Sequence, residues 1–475
     1  MSHAAVEQNA RPIVSDPVPQ DLYRLLMLGK AGAEILVACE RPPFTLPCVE
    51  IPRWERVAEN LIEAVRKRYG ISAICLFAPE PSDDTIAGEQ PFYQVMEIRE
   101  ARTVVLDAMR WRPLASLSDR SFADKQDLSA ITNMLRQIDG IQSGETIGPF
   151  AKPGWIEEFF SWAQRETEPY GLHLTGKFRQ FNASPTFSLI RFETNGAAVW
   201  FKAVGEPNLR EFSISIALAG LFPGFVPTVI ATHPTWNGWL TTEFAGSTLG
   251  EGADLSSWER AASTLADLQI ASIGKENELV QAGCRDLRVS WLLAQVDPFI
   301  EMASQLMQKQ PKIPPPILSR QELLWLGQQI KDALSAQAEI DVPDTLGHLD
   351  FNPGNILFSR NQSVFLDWAE ACVGLPFPTL QYLLEHLRQS AAFSNVDPER
   401  LVDRYSATWL SRLTLQQYAA SQKMRPLLAV FACAAASDWN AAFRSAGGRF
   451  AGYLRSLTRR MQREAEELLV NRTHL

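Results

Sequence analysis

The sequence contains few cysteines and lacks long apolar runs. Its six cysteines are spread over 475 residues without a CxxC pair, so neither a zinc site nor a disulfide framework is predicted. This usage is typical of the reducing cytoplasm, where we expect the protein. No apolar run reaches the roughly 18 to 20 residues that span a bilayer. The N-terminus also lacks the basic start and apolar core of a signal peptide, so no membrane partner is expected.

An excess of basic residues is also lacking. Lys and Arg number 45 against 54 Asp and Glu, for a net charge of -9, which argues against a nucleic-acid partner. Hydrophobic residues make up 46% and charged residues 21%, an ordinary globular composition. A chain of this length exceeds one compact core, so two or three domains are expected.

In the N-terminal third of the chain, the sequence predicts a flexible tail over residues 1–20 and a small α+β domain over residues 21–140. Apolar positions of the first helix recur at the i, i+3, i+4, i+7 spacing of one buried face. The predicted elements are strands at Leu22–Leu28, Glu34–Cys39, Ser72–Phe77 and Phe92–Ile98, with helices at Trp54–Tyr69 and Asp124–Ile138.

The end of the first helix resembles the helix of Nudix hydrolases in its apolar positions and in the closing Gly70. Where that family has metal-binding carboxylates, this chain has Ala64, Lys67 and Arg68, which cannot hold magnesium. Two interpretations remain open: a degenerate, non-catalytic Nudix-like domain, and an ordinary amphipathic helix on a small sheet.

The rest of the chain divides into three predicted parts. Residues 141–171 are predicted as a linker, rich in Gly, Pro and Ser, and a bracing helix from Pro153 to about Thr167. Residues 172–250 read as strands, with Asn195-Gly196 as the hairpin turn between two of them. Residues 251–475 read as mostly helical, so the class is α+β.

One stretch concentrates polar residues at strand ends: GHLDFNPGNILFSRNQSVFLDWAE, residues 347–370. A predicted hairpin brings Asn355 and Asp367 to the same end. One amide oxygen and one carboxylate are ligands that Mg²⁺ prefers. Asp350, on the loop just before, can accept a proton from a substrate hydroxyl.

This order, H-x-D-x-x-x-x-N followed by a metal-binding Asp, is that of the protein-kinase catalytic loop. The segments HLDFNPGNILF and VFLDWAEA resemble those of one narrower group, the aminoglycoside phosphotransferases and choline kinases. The resemblance covers residues 172–475. It implies a bilobal protein kinase-like fold, with a small β-rich N-lobe at 172–250 and a mostly helical C-lobe at 251–475, here preceded by the small α+β domain.

The same resemblance implies an ATP- and Mg²⁺-dependent transfer of phosphate to a hydroxyl of a small molecule. Asp350 is then the base, and Asn355 and Asp367 hold the metal. His348 is expected to support the loop by hydrogen bonds rather than to transfer protons. The alternative is a nucleotide-binding pseudokinase that regulates a partner through its N-terminal domain.

Upstream residues complete the implied nucleotide site. Lys202 is predicted to bind the α- and β-phosphates, and main-chain groups from Glu243 to Ala245 to meet the adenine. Glu211 is the candidate partner of Lys202, with Glu206 competing, although a carboxylate also favours a helix N-terminal turn by itself. Ser184, with Thr186, either donates to phosphate or merely forms the turn beside Pro185.

Two positions depart from the family pattern. Residues 377–380 lack the carboxylate that buttresses the loop, and Gln269 stands where the family commonly has His. The resemblance places the acceptor among the C-terminal helices, where Glu385 and Asp438 either hold a cationic substrate or are solvated helix charges. The acceptor, the choice between ATP and GTP, and the oligomeric state stay open.

Overall fold

The computed structural model describes residues 19–29, 32–53, 56–80, 91–101, 109–118, 120–143, 148–250, 253–390, 397–437, 439 and 449–473. The chain divides into two compact units. The first comprises residues 1–205 and 231–240, and the second comprises residues 206–230 and 241–475. Within the described ranges, no helix combines the length and apolar character that crossing a membrane requires. Most of the predicted tail, Trp54 and Asp438 lie outside the described residues.

The first unit begins with a mixed sheet in the order β4-β5-β1-β2-β6, in which β3 also pairs with β1. β1 runs parallel to β5 and antiparallel to β2 and β3. The strands are β1 (Gln20–Leu28), β2 (Glu34–Ala38), β3 (Cys48–Pro52), β4 (Ile71–Phe77), β5 (Phe92–Ala101) and β6 (Met109–Pro113). The four predicted strands are confirmed with shifted ends, whereas β3 and β6 were not predicted.

The two predicted helices of this region are also confirmed, as α1 (Val57–Tyr69) and α2 (Lys125–Ser143). α1 buries Leu61 and Val65 against the sheet, and Gly70 ends it in the left-handed conformation, φ 66°, which glycine adopts without steric cost. The Nudix-like interpretation of this domain stays a prediction.

A second sheet of the first unit follows α3 (Trp155–Thr167), in the order β10-β11-β9-β8-β7. Phe159 of α3 stacks on Phe192 with ring centroids 4.4 Å apart, so the predicted bracing helix packs on this sheet. The strands are β7 (Leu174–Ala183), β8 (Ser188–Thr194), β9 (Val199–Ala203), β10 (Val229–His233) and β11 (Gly238–Thr242).

The two sheets of the first unit are joined by a buried side chain. Gln180 of β7 accepts a hydrogen bond from the main-chain N–H of Cys75 and donates one to its carbonyl oxygen, both at 2.9 Å. Cys75 lies on β4, an edge strand of the first sheet. The amide of Gln180 therefore takes the place of a neighbouring strand's peptide group.

The second unit is mostly helical, with two small sheets in the orders β12-β15-β16 and β13-β17-β14. Its helices are α4 (Arg210–Leu221), α5 (Leu255–Ala271), α6 (Glu276–Ala282), α7 (Val289–Gln308), α8 (Arg320–Ile340), α9 (Phe377–Gln389), α10 (Glu399–Trp409), α11 (Leu415–Ala436) and α12 (Arg449–Thr473). Its strands are β12 (Ser247–Thr248), β13 (Arg285–Leu287), β14 (Thr345–His348), β15 (Ile356–Phe358), β16 (Ser363–Phe365) and β17 (Ala371–Gly374). The predicted α+β class is confirmed, and the predicted domain boundaries stay predictions.

Candidate active site

β14 ends at His348, and a polar loop, residues 349–355, follows it. His348 is 1% exposed. Its ring Nδ1 accepts a hydrogen bond from the main-chain N–H of Asp350 at 3.1 Å, and Nε2 lies 3.0 Å from the carbonyl oxygen of Leu366. Because Nδ1 accepts, the ring proton sits on Nε2, which donates to Leu366. One imidazole therefore ties the start of the polar loop to the residue before Asp367.

Burial also lowers the pKa of His348, which favours the neutral ring. The ring contacts two aromatic side chains, with its centroid 4.8 Å from that of Trp368 and 5.7 Å from that of Phe351. A neutral imidazole with both nitrogens hydrogen-bonded supports the predicted structural role of His348.

Both carboxylate oxygens of Asp350 are oriented by amide groups of the polar loop. Oδ1 accepts from Nδ2 of Asn352 at 3.0 Å, and Oδ2 from Nδ2 of Asn355 at 3.3 Å. Asn352 is itself fixed, because its Oδ1 accepts from the main-chain N–H of Gly354 at 2.8 Å. The carboxylate remains exposed, as a group that meets a substrate must be. The sequence reasoning did not single out Asn352, although an Asn before Pro-Gly is a turn signal.

The predicted hairpin after the loop is confirmed. β15 and β16 are antiparallel with Ile356 opposite Phe365, and the N–H of Leu366 donates to the carbonyl oxygen of Asn355 at 2.8 Å. This register sets Asn355 opposite Leu366, the immediate neighbour of Asp367. The structure thus brings Asp350, Asn355 and Asp367 together in the second unit.

Asp367 has a left-handed backbone, with φ 62° and ψ 63°. For a residue other than glycine this conformation costs roughly 1–2 kcal/mol, and such strain is concentrated at functional sites. Asp367 is exposed, while Trp368 beside it is 3% exposed and donates from Nε1 to the carbonyl oxygen of Phe365. The buried indole anchors the turn that presents the carboxylate.

The donor set fits magnesium that is also bound by phosphates. Nδ2 of Asn355 donates to Asp350, which leaves Oδ1 to coordinate, and Asp367 adds a carboxylate. Among the described residues, no group of three or more His, Cys, Asp or Glu could hold a metal ion. Mg²⁺ is commonly bound by only one or two protein ligands, with water and substrate phosphates completing the octahedron.

Burial separates the two candidate partners of Lys202. Glu211, in the first turn of α4, is 1% exposed, whereas Glu206 is exposed. Glu is almost never fully buried unless it is paired, so burial indicates that Glu211 has a partner within the protein. Its pairing with Lys202 stays a prediction. The predicted hinge residues follow β11, with Glu243 half-buried and Ala245 exposed.

Lys202 and Ser184 belong to the first unit. Lys202 lies on β9 opposite Leu189, with Nζ 5.9 Å from the ring centroid of Trp239. Oγ of Ser184 accepts from the main-chain N–H of Phe187 at 2.9 Å, so Ser184 does form the turn. Because the hydroxyl accepts there, its own O–H remains available for a phosphate, and the two predicted roles are compatible.

Residues 209–427 match the model of the phosphotransferase enzyme family. The predicted family resemblance is confirmed over this segment. It contains the polar loop, the hairpin and Asp367. The structure confirms the predicted kinase-like order, in which a β-rich part, β7 to β11, is followed by a mostly helical part. No curated protein matches the chain significantly.

Several solved structures are similar to the chain at low identity. A choline kinase from Cryptosporidium parvum Iowa II is 13% identical with a TM-score of 0.45, covering 66% of this chain and 97% of its own. A macrolide 2′-phosphotransferase from Brachybacterium faecium is 14% identical with a TM-score of 0.39, covering 63% and 96%. A choline kinase from Streptococcus pneumoniae is 12% identical with a TM-score of 0.41, covering 65% and 99%.

The two departures from the phosphotransferase pattern have structural replacements. Where a carboxylate was expected, the hydroxyl of Thr379 accepts from the main-chain N–H of His348 at 3.0 Å. The buried Gln269, at the usual His position, donates to the carbonyl oxygen of Pro376 at 2.8 Å and accepts from the hydroxyl of Tyr405. Neutral side chains therefore stand at both positions: Thr379 bonds the residue that precedes the polar loop, and Gln269 bonds the residue that precedes α9.

The acidic residue suggested for a cationic acceptor is already paired. Glu385 accepts from Arg460 and from Nε2 of Gln381. The side chains of Glu385 and Arg460 are each less than a third exposed. A cationic substrate would have to displace this ion pair, so Glu385 is a poor candidate for the acceptor site.

Proposed function

We propose that this protein is a phosphotransferase that moves the γ-phosphate of ATP to a hydroxyl group of a small molecule, with Mg²⁺ as cofactor. One observation carries the proposal, the arrangement of the polar loop and the hairpin that follows it. Asp350 is exposed, and hydrogen bonds from two side-chain amides orient both of its carboxylate oxygens. The register of the hairpin sets Asn355 opposite Leu366, the residue before Asp367. The match of residues 209–427 to a phosphotransferase family supports the same reaction class.

In this proposal Asp350 is the general base. Its carboxylate orients the acceptor hydroxyl and takes the hydroxyl proton as the acceptor oxygen bonds to the γ-phosphorus. The bond from that phosphorus to the β,γ-bridging oxygen breaks, and ADP leaves. The amide groups of Asn352 and Asn355 keep the carboxylate from rotating away from the acceptor. Positioning of this kind supplies much of the catalysis in phosphoryl transfer.

Asn355 and Asp367 would hold the metal, and Lys202 would contact the α- and β-phosphates. When bound, Mg²⁺ neutralises charge on the phosphates. The hydroxyl of Ser184 would donate to phosphate, and main-chain groups from Glu243 to Ala245 would meet the adenine. Glu211 would pair with Lys202 in the nucleotide-bound state.

The test is phosphate transfer from Mg-ATP, and separately from Mg-GTP, to a library of small-molecule alcohols. Replacing Asp350 by Asn should lower turnover by roughly 10²- to 10⁴-fold, the usual contribution of a general base. Nucleotide binding should be retained, because Asp350 faces the acceptor. The matched control is Asp332→Asn, which changes an exposed carboxylate on α8 and should leave turnover unchanged.

Two results would contradict the proposal. The first is nucleotide binding without transfer to any alcohol, which would favour a nucleotide-binding regulator. The second is ATP hydrolysis that the Asp350→Asn change leaves intact. Asp367→Asn gives an independent check, because it should weaken the Mg²⁺ dependence of nucleotide binding while Asp332→Asn does not.

A further inference from the structure

The turn between β7 and β8 packs directly against the main chain that precedes α3. The N–H of Phe150 donates to the carbonyl oxygen of Pro185 at 3.1 Å. Gly148 has φ 116°, and a Cβ there would lie 2.2 Å from that carbonyl oxygen and 2.7 Å from Cγ2 of Thr186. No side chain fits such an approach, so the contact requires glycine on the side of residue 148.

On its opposite side, the same turn lies equally close to the main chain of Gly205. A Cβ at Gly205, two residues after β9, would lie 2.2 Å from Cβ of Thr186 and 2.4 Å from its Oγ1. The turn that carries Ser184 is therefore held between two glycines that are far apart in the sequence. It contains Pro185 and lacks the glycines that would let it adapt to a ligand by itself.

The segment before α3 is in turn fixed to the N-terminal sheet. Glu97 of β5 is 1% exposed and accepts from the main-chain N–H of Gly154 at 2.8 Å. Phe150 is buried against Trp155, with ring centroids 4.9 Å apart. A continuous set of contacts thus runs from the first sheet through residues 148–155 to the turn that carries Ser184.

We propose that the segment Gly148–Phe150 is a positioning element for nucleotide, through which the N-terminal α+β domain sets the affinity for ATP. The inference rests on the proposed function, in which the turn at Ser184 donates to phosphate. Donors held in their bound geometry before binding lose little conformational entropy when the ligand arrives. Displacing the turn should therefore weaken nucleotide binding more than it slows the transfer step at saturating ATP.

The test compares Gly148→Ala with Gly171→Ala. Both glycines have positive φ, 116° and 69°, so both variants strain the backbone. A Cβ at Gly148 would meet the turn, whereas a Cβ at Gly171 would meet no atom within 4 Å. Displacements near 1 Å can cost up to about 100-fold in function. We expect Gly148→Ala to raise the Kd and KM for Mg-ATP at least tenfold, with kcat at saturating ATP within about twofold. Gly171→Ala should change neither the affinity for Mg-ATP nor kcat by more than about twofold.

A second measurement uses the unchanged protein and does not depend on how a variant folds. Hydrogen exchange at the Phe150 amide should slow when Mg-ATP binds, because the hydrogen bond to Pro185 is coupled to the turn. Equal nucleotide affinity of the Gly148→Ala and Gly171→Ala variants would overturn the positioning role while leaving the proposed function intact. Unchanged Phe150 exchange with saturating nucleotide would overturn it too. Wild-type protein that binds no Mg-ATP would overturn both proposals.

Discussion

At the scale of single residues, the site depends on neutral groups that hold charged ones. His348 is buried and neutral, with Nδ1 bound to the N–H of Asp350 and Nε2 to the carbonyl oxygen of Leu366. Protonating the ring would replace the first of these hydrogen bonds by a contact between two donors. The arrangement is therefore sensitive to pH on the acid side.

Folding stability of the second unit should fall as the pH drops below about 6.5, the ordinary pKa of His. Burial lowers the pKa of His348 in the folded state, so the unfolded chain binds a proton at a higher pH than the folded protein does. The free energy of unfolding should therefore fall by up to about 1.4 kcal/mol for each unit of pH. Urea unfolding from pH 8 to pH 5.5 should show this slope in wild-type protein and lose it in His348→Gln.

The difference between wild-type protein and His348→Gln isolates His348 in that experiment. Burial raises the pKa of Asp344 to about 6, which stabilises the fold below that pH, but this contribution is the same in wild-type protein and variant. If the free energy of unfolding varied with pH in the same way for wild-type protein and His348→Gln, the ring would have the same pKa in the folded and unfolded states, which would contradict the prediction.

Thr379 should be important for stability although it was not predicted as a site residue. Thr379→Val keeps the shape but removes the acceptor for the buried N–H of His348, which should cost roughly 1–3 kcal/mol. Thr379→Ser keeps the hydroxyl and should cost less. Denaturant unfolding of the two variants checks this, and a Val variant as stable as the Ser variant would refute the role of the hydroxyl.

Sequence reasoning found Asp350, Asn355 and Asp367 because their placement is local: a short loop and one hairpin bring them together. It did not find Thr379, which lies 31 residues beyond His348, since no local pattern links the two. Sequence reasoning named Gln269 but not its partner Pro376, which is 107 residues away. Contacts of this kind are set by tertiary packing and have no local signature.

At the scale of elements, long periodic segments were predicted, whereas of the short strands in the second unit only the hairpin of β15 and β16 was. α1 was found from its apolar spacing. β13 and β17 have three and four residues, too few to show the alternation that identifies a strand. They pair in parallel at residues 285–287 and 372–374, so their partners are remote in sequence. These strands complete the sheet that carries β14 into the polar loop.

Gln180 should be important for joining the two sheets of the first unit. Gln180→Leu leaves the buried N–H and carbonyl oxygen of Cys75 without partners, at roughly 1–3 kcal/mol for each group. Urea unfolding should show this loss in the first unit. Gln328→Leu, at an exposed position of α8, should change stability by less than about 0.5 kcal/mol. Similar stabilities of the two variants would show that β4 does not depend on the amide.

At the scale of the whole molecule, the segment predicted as a linker shows why domain boundaries are difficult to predict from composition. Gly and Pro are frequent in flexible linkers, but they are also required where two main chains approach closely. Gly148 belongs to the second case, and Phe150 and Trp155 beside it are 2% and 1% exposed. A single sequence does not distinguish these two uses of glycine.

The first unit should therefore unfold as one body. Under native conditions, amides of β5 and of β8 should exchange with the same opening free energy, since both lie in the unit that Gln180 and Glu97 hold together. Saturating Mg-ATP at about 100 times its Kd should raise that free energy by about 2.7 kcal/mol in both strands. Hydrogen exchange with mass spectrometry on the full chain measures both. A domain attached only by a flexible linker would instead leave β5 unchanged while β8 gains protection.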